Sequence, residues 1–216
     1  MFLSVFIVLA LFISSMLSDK RRDEKEKIAA PYHESGHVIL AMVTGMGFEK
    51  VSIEENAHHL GFMSHRTEQY EVGRMAYTQE FFTLSERERL ENALMTSLAG
   101  YVSEVLLCGK PGLPSHNLPY GDMEVVNGIL SQNAFLYQEK NQTIDEYLSA
   151  LTQKTQNILQ QESQAHQMIS EALTIKKTLT EEEVWDLMDD SFLGSHLHNP
   201  YSSLADASLA LDSSGA

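Results

Sequence analysis

Positions 2–17, "FLSVFIVLALFISSML", are apolar apart from three serines and carry no charge, and give way to the charged stretch "SDKRRDEKEKI" over 18–28. As a helix the apolar run would be about 24 Å long at ~1.5 Å per residue, a little short of a ~30 Å hydrocarbon core. The basic residues Lys20, Arg21 and Arg22 follow the run instead of preceding it. That order favours a single-pass anchor over a secretory signal and places the remainder of the chain on the cytoplasmic side of a membrane. The expected organisation is a transmembrane anchor over 1–18, a charged tether over 19–28, a main domain over 29–190, and a disordered tail over 191–216, where Ser, Asn and Ala recur with no sustained period.

Within the main domain the pattern is mostly helical. A first helix is expected from near Pro31 to Gly45 or Gly47, because proline suits a first helical turn and glycine a helix end. "KVSIE" (50–54) and "LGFMSHR" (60–66) read as two short strands around a polar turn. A long helix follows over 84–107, with Ser85 as N-cap and Glu88 at the capping-box spacing. "CGKPGLPSHNLPYG" (108–121) is rich in breakers and reads as a loop. Helices are then expected over 122–138 and 143–174, and a last short one over 178–188, with Thr180 as N-cap and Glu183 completing its box. The predicted fold class is mainly α, with a small β-sheet of two or more short strands behind an N-terminal transmembrane helix.

The length, 216 residues, allows one domain with a real core plus appendages. A formal charge of −15 argues against nucleic acid as a partner, since phosphate binding needs a basic face. Cys108 is the single cysteine, which excludes an intramolecular disulfide framework and any multi-cysteine zinc module.

The chemistry concentrates in "PYHESGHVIL" (31–40). On a helix, His33 and His37 lie on one face and can aim two imidazoles at one point. Zinc accepts imidazole nitrogen, and catalytic zinc sites combine three protein ligands with a water. Glu34 stands about 100° further round the helix, where it can act as general base on that water without ligating the metal. Gly36 costs about 1 kcal/mol inside a helix and implies a neighbour that needs the room. A third ligand is required. Glu104 on the long helix and Asp122 after the loop are the candidates, and spacing alone does not choose between them. Each also has a plainer role, Glu104 as a solvated helix carboxylate and Asp122 as an N-cap. His58, His59, His65 and His116 are further candidates, less suited because a histidine in a polar turn is more often solvent-exposed.

These residues bring a family into view. "PYHESGHVIL" resembles the "AYHEAGHA" stretch of the FtsH-type membrane metalloproteases, and "VSIEENAHHLGFMSHR" (51–66) is similar to that family's strand–turn–strand. "LENALMTSLAGYVSEVLLCG" (90–109), "YGDMEVVNGI" (120–129) and "ILQQESQAHQMISEALTIKKTLTEEEV" (158–184) resemble its later segments in the same order, so the resemblance spans about 28–188. It implies a helical zinc peptidase domain. His33, His37 and Asp122 would be the Zn2+ ligands and Glu34 the general base, with Glu104 packing behind them. The implied reaction is endopeptidase hydrolysis of a polypeptide substrate, with the strand at 60–66 offering its edge to an extended chain. Nothing in the chain matches the phosphate-binding pattern G-x-x-x-x-G-K-[ST] of the family's ATPase module, so the expected activity is ATP-independent and directed at unfolded or membrane-proximal segments. Ser35 stands where the family has alanine, and "AGYVSE" (99–104) lacks the family's arginine. The expected partners are substrate, the membrane, and either further copies of the chain or an FtsH-type ATPase protease. The alternative function is a regulatory module that docks on such a protease.

Overall fold

In a computed structural model the described residues are 29–54, 61–65, 84–108 and 121–188. They form seven helices and a three-stranded antiparallel sheet, which agrees with the mainly helical class read from the sequence. The expected anchor, tether and tail lie outside the described residues. Among those that are described, no helix is long and apolar enough to cross a membrane.

Helix α1 covers residues 29–44 and is a core helix, with Val38, Ile39, Leu40 and Ala41 fully buried in succession. Consecutive buried positions mean that this part of the helix is covered on all sides. Helix α2 (Glu86–Cys108) starts as expected: the Ser85 N–H donates to Glu88 Oε2 at 2.8 Å, and the Glu88 N–H donates to Ser85 Oγ at 3.3 Å. Its buried stripe, Leu94, Met95, Leu98, Ala99 and Val102, has the spacing of one helix face. The region expected as one helix over 122–138 is two, α3 (Asp122–Gln132) and the single turn α4 (Phe135–Gln138). Arg87 on α2 holds that turn by donating to the Leu136 and Phe135 carbonyls at 2.8 and 3.0 Å.

The region expected over 143–174 is likewise two helices, α5 (Ile144–Gln161) and α6 (Ser163–Lys176), separated at Glu162. α5 opens on a capping box between Thr143 and Glu146. α2 packs against both α3 and α5, which makes it the central strut. α6 ends at Lys177, whose φ of 68° lies in the left-handed region that terminates helices and turns the chain.

The sheet has the order β2–β1–β3, with β1 Phe48–Ser52, β2 Phe62–His65 and β3 Thr178–Thr180. β1 and β2 are the two expected strands. β3 falls on residues read as the start of the last helix, so that helix, α7, is Glu181–Leu187. Thr180 caps α7 with Glu183, as expected, and is also the last residue of β3. A register shift between Phe48 and Lys50 leaves Glu49 and Lys50 exposed side by side, while Val51 and its β3 partner Leu179 are fully buried.

Candidate metal centre

Three elements deliver the site. α1 supplies His33 and His37, one turn apart. α3 supplies Asp122 from its first position. α2 passes beneath and supplies the supports. The two Nε2 atoms are 3.1 Å apart, and Asp122 Oδ2 lies 3.0 Å from that of His33 and 3.2 Å from that of His37. One ligand atom from each of the three residues falls within 4.8 Å of the others, so the group could hold a metal ion.

The opposite edge of each ring is fixed. His37 Nδ1 is 2.7 Å from the Thr96 carbonyl oxygen. A carbonyl only accepts, so Nδ1 carries the proton, and a neutral His37 presents its Nε2 lone pair to the centre. His33 Nδ1 is 2.7 Å from Glu104 Oε1, a carboxylate that orients the ring and raises its basicity as a ligand. Glu104 therefore supports His33 from behind. Asp122 joins the two imidazoles and is not an N-cap: Gly121 holds that place, with no side-chain cap bond.

A group of this kind needs open space in front of both nitrogens, and Gly100 provides it. A Cβ at Gly100 would lie 2.5 Å from His37 Nε2 and would overlap His33 Nε2. The donor set, two imidazoles and one carboxylate at a partly open position, suits zinc. The helix approach is set by a second glycine: a Cβ at Gly36 would collide with Ser103 Oγ and lie 2.7 Å from the Ala99 carbonyl oxygen.

The electrostatics show a tightly paired cluster. Burial alone would lower the His37 pKa, but the Asp122 carboxylate and its hydrogen bond, with help from Glu34, outweigh burial and the repulsion of His33 and hold it above 6.5. Burial would push the Asp122 carboxyl up, and the His37 and His33 imidazoles reverse this, holding it well below the usual carboxylate range. Glu34 is 5% exposed and lies close enough to His37 for its charge to be felt there. Its carboxylate packs on the main chain of Gly61 at the entry to β2, where a Cβ would come within 2.6 Å of Oε1.

Of the sequence candidates, the structure brings together His33, His37 and Asp122, with Glu34 beside them and Glu104 behind. His58, His59 and His116 lie outside the described residues, and His65 ends β2. Thr96, Gly100 and Gly61 were not singled out from the sequence. A signal was there: Thr96, Gly100 and Glu104 are spaced four apart, a polar and small stripe along a helix whose buried side is mostly apolar. No protein-family model matches the chain, and no curated protein matches it.

Proposed function

We propose that this chain is a zinc endopeptidase of the FtsH type, working without an ATPase of its own. The observation that carries the reading is the pair of imidazoles on one helix, each fixed through Nδ1, meeting Asp122 next to the buried carboxylate of Glu34. Zinc held by His33, His37 and Asp122 would supply Lewis acidity, polarising a peptide carbonyl and acidifying a water. Glu34 accepts the proton of the attacking water as its oxygen bonds to the carbonyl carbon. The same carboxyl then gives that proton to the leaving nitrogen as the C–N bond breaks. Gly61 keeps side-chain atoms away from Glu34, leaving a main-chain wall beside the base. Among the described residues β2 has β1 as its only strand neighbour, so an extended polypeptide pairs with the free edge of β2 and runs past Glu34. The apolar segment over 2–17 anchors the domain to a membrane from the cytoplasmic side, which makes membrane-proximal and unfolded segments the accessible substrates.

The test is cleavage of an unfolded protein by the purified full chain in detergent, without ATP, beside Glu34→Gln, with zinc content measured for both. We expect wild type to cleave and Glu34→Gln to keep one zinc per chain while losing on the order of 100-fold or more in rate. Zinc in both with cleavage by neither would move the docking-module reading ahead. Absence of zinc from wild type would end the enzyme reading.

A further inference from the structure

His166 lies on α6, far from the ligands in sequence, and is 4% exposed. Its Nε2 is 3.0 Å from the carbonyl oxygen of Tyr32. Because a carbonyl only accepts, His166 carries its proton at Nε2 and donates it there. The same oxygen accepts the Ser35 hydroxyl at 3.0 Å, and α-helical geometry aims it at the Gly36 N–H besides. The Tyr32 and His166 rings meet edge to face, with centroids 6.4 Å apart and planes at 70°. Several donors thus converge on one carbonyl, which belongs to the peptide unit leading directly into His33.

We infer that His166 is a positioning residue for the metal centre: it pins the main chain before His33 from the α6 side, while Glu104 pins the His33 ring from the α2 side. The inference rests on the metal reading above. Its physical content is leverage. A ligand nitrogen stands several bonds from its own main chain, so a small rotation of the Tyr32–His33 peptide swings Nε2 away from Asp122 even with the Glu104 contact kept. Ser35 adds a shorter-range hold on the same oxygen, so the hydroxyl has a role that an alanine there would lack.

A residue that only filled space would be replaceable by any side chain of similar size. Methionine and glutamine match each other in length and shape, and the glutamine Nε2 reaches about where the histidine Nε2 does, so the pair isolates the donor. The experiment compares full-length wild type, His166→Met, His166→Gln and Ser35→Ala. Three quantities are read: zinc affinity by chelator competition, the visible spectrum of the Co2+-loaded protein, and melting temperature. We expect His166→Met to weaken zinc by about tenfold, within the range seen when residues behind metal ligands are removed, and to change the cobalt spectrum. Glutamine should restore both. Ser35→Ala should weaken zinc by a smaller factor. The proposal is overturned if His166→Met keeps wild-type zinc affinity and cobalt spectrum whatever its melting temperature, or if glutamine does no better than methionine. Should the methionine variant not fold, unchanged zinc affinity and spectrum in Ser35→Ala overturn it instead. Failure of wild type to bind either metal sinks the metal reading itself, and is told apart from failure of this inference by the wild-type control.

Discussion

Gly100 has no side chain to take part in chemistry, yet it decides what the two imidazoles can hold. A methyl group there would stand where both Nε2 atoms point. Gly100→Ala is therefore expected to lose zinc while the helix, if anything, gains: alanine is favoured over glycine inside a helix by about 1 kcal/mol. Zinc content after dialysis, measured beside the melting temperature, checks this. Stoichiometric zinc in the alanine variant would show that the rings can turn aside at no cost. At this scale much was legible. The spacing of His33 and His37 fixes their shared helix face, and the adjacent Glu34 follows from the same geometry. The choice between Glu104 and Asp122 was not legible from spacing, because it depends on how α2 and α3 cross α1, tens of residues away. The family resemblance pointed to Asp122, and the geometry brings Asp122 to the two imidazoles.

Between elements, the close contact of α1 and α2 depends on Gly36 and Ser103. The Ser103 hydroxyl is buried without a hydrogen-bond partner, wedged where a Cβ on Gly36 would go. Gly36→Ala should destabilise the domain by about 1–3 kcal/mol through overpacking, outweighing the helix-propensity gain. Urea unfolding measures it, and a variant as stable as wild type would mean that the helices part easily. The helices were read correctly in kind and partly in length. The capping boxes at Ser85 and Thr180 are local signals, and both form. The interruptions at Asn133–Ala134 and Glu162 went unread because neither carries proline or glycine and apolar spacing continues across them. β3 went unread for another reason: three residues hold as a strand only because β1 pairs with them from far along the chain.

Over the whole molecule, the paired site gives a pH response with a definite sign. The His37 pKa is raised above 6.5 without metal. The stability contributed by its proton is thus fully present below 6.5 and is lost as pH rises through the raised value. Zinc needs the neutral ring, so it competes with that proton. Asp122, held well below its usual range, stays ionised throughout. The gap in melting temperature between zinc-loaded and zinc-free protein should therefore widen from pH 5.5 to pH 8. Calorimetry at the two pH values decides, and a constant gap would show that His37 does not exchange its proton for the metal.

The pairing of β1 with β3 also orders events in time. Residues 48–52 obtain their second neighbour only from residues 178–180. A chain emerging from the ribosome exposes both imidazoles early and cannot close this sheet until nearly the whole domain has been synthesised. If the proposed peptidase reading holds, this order would keep the chain harmless during its own translation, since the framework locks only once the strand that completes it has been made.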